Sequence, residues 1–261
     1  MKRFLALSFL VLLSTTAEAK MITKEIPYKD GDVSLTGYLA YDDAVKTPAP
    51  GVLVVQEWWG QTDYVRSRTE QLAKMGYIAF AADMYGDRKI VETPDEAKAL
   101  TEPFYADRGL MRQRGNAALE TLKAQPQVDK RRLGVIGFCF GGTTALELAR
   151  FGVDVKGVVS FHGGLDTDKP AVPAAVKAQV LALNGADDPM VPPAQKDAFK
   201  KEMETAGVTY KSIDYAGATH AFTNPGATEK GKKFNMPVAY NEKAATESWA
   251  EMSTFFQRLF K

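Results

Sequence analysis

The chain has 261 residues, 45% of them hydrophobic, and 33 lysines and arginines against 32 aspartates and glutamates, a formal net charge of +1. That length and apolar content suit one α/β domain around one core, and a balanced charge with no basic run or acidic tail points away from a nucleic-acid partner. A single cysteine, Cys139, excludes a disulfide framework within the chain.

The first residues read as a targeting segment. Lys2 and Arg3 precede an apolar run over 4–13, and Ala17-Glu18-Ala19 forms an A-x-A cleavage site. This predicts a signal peptide over 1–19, cleaved after Ala19, and a mature domain over 20–261 that is periplasmic or secreted. No later stretch reaches the roughly 18 consecutive apolar residues that span a bilayer, so no membrane association is expected after cleavage.

The mature chain opens with two strand patterns, 22–27 and 33–41, joined through Asp30-Gly31. Gly51-Val52-Leu53-Val54-Val55 is a continuous apolar run, the signature of a strand buried on both faces of a parallel sheet. It ends in Gln56-Glu57-Trp58-Trp59-Gly60. A helix capped at Thr62 or Asp63 runs to Met75 and closes at Gly76. A strand over 77–82 follows, ending in Asp83-Met84-Tyr85-Gly86. Residues 87–106 lack a clean period and predict a capping segment over one sheet edge, with a short helix that starts at Thr93-Pro94 and ends at Pro103. A longer helix from Asp107 stops before Pro126. Further strands are predicted from Leu133, over 155–161, over 179–183 and over 208–215, with helices from Gly141 to Arg150 and over 193–205. A Gly/Pro-containing loop over 223–240 precedes a last amphipathic helix carrying Ala245, Trp249, Met252, Phe256 and Leu259. Alternating strands and helices of this kind predict a mostly parallel, doubly wound sheet with helices on both faces. In such sheets the site lies beyond the carboxyl ends of the strands, where Glu57, Asp83, Cys139, His162, Asp188 and His220 fall.

Gly137-Phe138-Cys139-Phe140-Gly141 has the spacing of a nucleophile elbow, with cysteine in the place of serine. A nucleophile on so sharp a strand-to-helix turn sits in strained backbone, and a helix N-terminus favours the thiolate. An unpaired thiol in an oxidising compartment is a liability, which weighs Cys139 towards chemistry and away from core packing. The chain order nucleophile, acid, histidine selects His220 as base, since it follows both candidate acids, Asp187 and Asp188. The loop Gly185-Ala186-Asp187-Asp188-Pro189-Met190-Val191-Pro192 favours Asp188. His162 either lines the pocket or satisfies a backbone bond. Two histidines this far apart give no metal cage, and neither a metal nor another cofactor is expected.

Val55-Gln56-Glu57-Trp58-Trp59-Gly60, Gly137-Phe138-Cys139-Phe140-Gly141-Gly142, the Gly-x-x-Asp-Pro-x-Val-Pro loop and Gly217-x-x-His220 together resemble the dienelactone hydrolase family over essentially the whole mature chain. The resemblance implies an α/β-hydrolase fold and hydrolysis of a small-molecule ester or lactone by a Cys139–His220–Asp188 triad. It implies that Glu57 contacts the resting thiol and takes its proton when substrate arrives. The backbone N–H groups of Phe140 and Trp58 would form the oxyanion hole, and Trp59, Tyr85, Arg88, His162 and Phe222 would line the substrate pocket. Two family arginines that hold a substrate carboxylate are not both matched: Arg88 lies near the first place, and Asn224 stands at the second. A rival reading from a different class is a non-catalytic or redox-sensing module that keeps the fold and uses the lone thiol.

Overall fold

A computed structural model describes residues 20–261; the expected signal peptide lies outside the described residues. Its centre is one eight-stranded sheet built from β1 (Met21–Asp30), β2 (Val33–Asp42), β3 (Ala49–Val55), β4 (Ile78–Ala81), β5 (Val128–Phe138), β6 (Gly157–Phe161), β7 (Gln179–Gly185) and β8 (Tyr210–Tyr215), in the order β1-β2-β4-β3-β5-β6-β7-β8. β1 pairs with β2 and β2 with β4 in antiparallel fashion, and every later pairing is parallel. Between the strands run α1 (Asp63–Lys74), α2 (Pro94–Ala106), α3 (Arg108–Lys123), α4 (Phe140–Phe151) and α5 (Pro193–Thr205), and after β8 come α6 (Ala227–Phe234) and α7 (Glu242–Leu259).

Both faces of the sheet are covered, as the continuous apolar runs demand. Along β3, Leu53 and Val55 pack into one core with Phe80, Val135, Phe140 and Leu148, while Val52 and Val54 pack into a second with Ile136, Phe161 and Phe256. Side chains alternate across the pleat, so a strand apolar at every position must feed two cores.

The structure departs from the sequence reading at several places, one of them the start of β5, which lies at Val128 and not at Leu133. Pro103 does not end α2, which runs on to Ala106. A proline in the last turn forfeits one hydrogen bond without blocking the residues after it, and Asp107 N–H still closes on the Pro103 carbonyl. The segment over 87–106 does not cap a sheet edge. Lys98, Thr101, Glu102 and Tyr105 on α2 instead line a cavity shared with Cys139. The expected loop over 223–240 contains α6, whose Gly231 approaches the Val238 carbonyl too closely for a side chain.

The elbow depends on a similar absence of side chains. A Cβ on Gly137 would collide with the Gly141 carbonyl, and one on Gly141 with the Val55 carbonyl. One on Gly142 would lie 2.7 Å from Ser160 Oγ and 2.9 Å from Gly163 Cα. These glycines let α4 start directly against β3 and β6. Gly137→Ala is therefore expected to cost at least about 3 kcal/mol of stability, the scale of an overpacked core site that cannot relax; urea denaturation measures it, and an unchanged midpoint contradicts it.

Candidate active site

Cys139 follows β5 directly and precedes the first residue of α4. Its φ is 54° and its ψ −117°, a left-handed conformation that a non-glycine residue holds only when its surroundings enforce it. Its N–H is shared between the Phe161 carbonyl at 3.0 Å and His162 Nδ1 at 3.1 Å, and its carbonyl accepts from Thr143 N–H at 3.1 Å. The thiol is half-buried and opens on a cavity of about 460 Å³.

His220 follows β8 in a turn that Val238 braces through an isolated bridge. The imidazole is buried, and its Nδ1 lies 2.8 Å from Asp188 Oδ2. Asp188 is itself buried and accepts from Met190 N–H at 2.8 Å, whereas Asp187 is exposed to solvent. The geometry therefore puts Asp188, of the two candidate acids, on the histidine. Nε2 of His220 is buried without a hydrogen-bond partner among the described residues. Burial works against the charged imidazolium, but Cys139 and the Asp188 carboxylate outweigh it and raise the pKa of His220.

Glu57 comes from the turn after β3, the strand beside β5, and its carboxyl is buried. Asn224 Nδ2 donates to Glu57 Oε2 at 2.6 Å. Burial raises the Glu57 pKa to about 7, while the Asn224 bond and the charge of His220 pull it back. A carboxyl so placed stands poised to hold or release a proton near neutrality. Asn224, which stands at the second place of the expected arginine pair, is thus turned to Glu57.

Trp58 and Phe140 both border the cavity, and neither backbone N–H has an acceptor among the described residues. Phe140 N–H is one of the unpaired donors at the start of α4. Tyr85 donates its hydroxyl to the Trp58 carbonyl at 2.9 Å and stacks on Phe140.

Of the five expected pocket residues, only Trp59 lines the cavity. Tyr85 sits behind Trp58 and Phe140 and braces them. Arg88 points away. The Asp83 carboxylate gathers the N–H groups of Tyr85, Gly86 and Arg88, so the chain curls outward and Arg88 pairs with Glu25 on β1. Phe222 is fully buried against Tyr215 and His162. His162 lies behind the elbow and takes the backbone bond, which was the second of its two expected roles. The walls come instead from elements whose contribution carries no sequence signature, with Tyr105 from α2, Met190 and Val191 from the Asp188 loop, and Met236 and Val238 beyond α6. Lys230 on α6 also borders the cavity, its Nζ 3.6 Å from the centre of the Trp59 ring.

The model of the dienelactone hydrolase family matches residues 35–260. A Synechocystis protein named "Putative carboxymethylenebutenolidase" is 30% identical, over 94% of this chain and 100% of its own length. A solved structure described as a dienelactone hydrolase-like promiscuous phosphotriesterase from metagenomic libraries is 34% identical, with a TM-score of 0.85 over 92% of this chain and 99% of the other. The structure called m3DLH is 38% identical, with a TM-score of 0.87 over the same shares. A deep-sea metagenome α/β hydrolase, 16% identical, shares the fold alone, with a TM-score of 0.66 over 91% of this chain and 98% of its own.

The buried carboxyl of Glu57 leaves a mark on stability. In the unfolded chain it ionises near 4.5 and in the folded protein near 7, so between those values the folded state holds a proton that the unfolded state has lost. Stability then falls as pH rises from about 4.5 to 7 and stays lowered above. Glu57→Gln removes that loss and is expected to be more stable than the parent at pH 8 by about 3 kcal/mol, with the gain fading towards pH 4.5; thermal melts across this range measure it, and a pH-independent difference contradicts it.

Proposed function

We propose, because the chain belongs to the dienelactone hydrolase family, that it hydrolyses carboxylic esters or lactones through a thioester on Cys139. The observation that carries this reading is the buried His220–Asp188 pair, which leaves Nε2 of the imidazole unpartnered on the cavity that Cys139 enters. Asp188 fixes the Nδ1–H tautomer and stabilises the imidazolium, so Nε2 is free to exchange a proton with the reacting groups.

In this mechanism the thiol gives up its proton and the thiolate attacks the substrate carbonyl. Glu57, with a pKa of about 7, keeps the resting thiol protonated and accepts that proton when substrate displaces it. The tetrahedral oxyanion is received by Phe140 N–H and Trp58 N–H, each such donor worth about 3 kcal/mol. Collapse breaks the ester C–O bond, and His220, present as the imidazolium that Asp188 stabilises, gives its Nε2 proton to the departing alkoxide; with a lactone, the alcohol stays on the acyl group. Water then attacks the thioester with the now neutral His220 as base, and collapse breaks the C–S bond, releasing the acid and a thiolate that takes back the proton held by Glu57.

The cavity favours uncharged, apolar substrates over small anionic lactones. Trp58, Trp59, Tyr105, Met190, Met236 and Val238 supply mostly apolar wall. Neither position of the family's arginine pair supplies a guanidinium, since Arg88 is turned to Glu25 and Asn224 to Glu57. A carboxylate therefore has no bidentate partner.

We infer export from residues 1–19. Lys20 N–H donates to Asp43 Oδ1 at 2.9 Å, so cleavage after Ala19 would create an α-ammonium facing a carboxylate. The N-terminus of protein recovered from the periplasm or medium is expected to be Lys20; recovery of the full-length chain from the cytoplasm alone overturns this.

Cys139→Ala is expected to lower turnover of p-nitrophenyl acetate by up to about six orders of magnitude, as loss of a triad nucleophile does elsewhere. The parent should give a burst of p-nitrophenol followed by a thioester mass adduct. Unchanged turnover in the variant would sink the reading, and a parent without any ester turnover would favour the redox-sensing alternative.

A further inference from the structure

The proposed mechanism leaves the second histidine unused. His162, the first residue past β6, is fully buried. Its φ of 41° is left-handed, a region where non-glycine residues are uncommon and His and Asn are among the better tolerated. A core position asking only for volume would take an apolar side chain in relaxed backbone, so strain and a buried imidazole together call for a reason.

The hydrogen bonds supply one. Cys139 N–H already has the Phe161 carbonyl, and His162 Nδ1 adds a second acceptor at 3.1 Å. Accepting there requires a lone pair on Nδ1, so the neutral ring carries its proton on Nε2. Nε2 lies 2.7 Å from Thr223 Oγ1, which in turn lies 2.6 Å from the Tyr64 hydroxyl. Burial, and the neighbouring His220 ring at 5.3 Å, keep the imidazole neutral. Thr223 stands three residues after His220 on the same turn, and Arg68 on α1 holds its carbonyl at 2.7 Å. One side chain therefore joins the elbow carrying Cys139 to the turn carrying His220.

We propose that His162 is a positioning residue: through Cys139 N–H and Thr223 Oγ1 it fixes the nucleophile elbow against the histidine turn, setting both the approach of thiol to imidazole and the aim of Phe140 N–H. The Cys139 carbonyl is held on the far side by Thr143 N–H. With the residue secured at both its amide and its carbonyl, the peptide that presents Phe140 N–H cannot rotate away from the oxyanion. The proposal rests on Cys139 being the nucleophile.

Three variants of the purified protein test it, read by kcat and KM on p-nitrophenyl acetate, by the rate of Cys139 alkylation with iodoacetamide at pH 7, and by thermal melting. His162→Asn keeps an acceptor on Cγ, where Nδ1 stood, and tolerates the backbone; His162→Gly relieves the backbone and removes the acceptor. The glycine variant is expected to lose about 100-fold in kcat, the cost of a small misplacement, with KM within about twofold and alkylation slowed. The asparagine variant should recover at least about tenfold of that loss. Thr223→Val, which keeps His162 and the fold, should lower kcat by about tenfold at unchanged KM, and it decides the matter if the glycine variant does not fold. Equal kcat in the asparagine and glycine variants, or parental kcat in Thr223→Val, overturns the proposal. Turnover surviving in Cys139→Ala would instead refute the nucleophile assignment, so the two failures are distinguishable.

Discussion

Everything at the candidate site depends on how closely the start of α4 approaches the sheet. Gly137, Gly141, Gly142 and Gly163 meet with no Cβ between them, and the backbone of Cys139 is pushed into a left-handed conformation as a result. That contact converts a buried parallel strand into a platform. It stops β5 abruptly, lifts one side chain above the carboxyl ends of the strands, and leaves the first N–H of α4 without a partner. The neighbouring turns after β3, β6, β7 and β8 then need only short excursions to reach the same point, because parallel strands deliver all their carboxyl ends to one edge.

Two buried acids share this edge with different partners. Asp188 has a histidine against one oxygen and a backbone N–H on the other, which fixes its orientation. Glu57 accepts from one neutral donor, Asn224, among the described residues, and burial outweighs that bond, raising its pKa to about 7. One acid is therefore placed to orient His220, and the other to hold or release a proton near neutrality.

The sheet was legible because its strands are apolar at consecutive positions and are punctuated by Gly, Asp and Asn. The elbow was legible because close packing admits only glycine around Cys139. The acid pair could be ordered from loop spacing, and burial of Asp188 beside exposed Asp187 gives the physical reason. Legibility failed where side-chain direction depends on distant contacts. Nothing local to Arg88 says that Asp83 will gather the surrounding N–H groups and send the guanidinium to Glu25 on another strand. The 128–132 stretch joins β5 despite Asp129, Lys130, Arg131 and Arg132, because Asp129 pairs with both arginines at the sheet's end. The eight residues of α6 are charged and glycine-containing, and only packing on Trp59 and Val238 makes them a wall.

The segment after β8 binds several tasks into one piece of chain. His220, the Asn224 that grips Glu57, and α6 follow one another within fifteen residues, and the last of these carries Lys230 on the cavity wall. Reshaping α6 would therefore disturb His220 and the Glu57–Asn224 pair at once. α2 faces the same cavity through Thr101 and Tyr105, and none of Glu57, Cys139, Asp188 and His220 comes from it. The cavity can therefore be reshaped from the α2 side without touching those four residues, and from the α6 side it cannot.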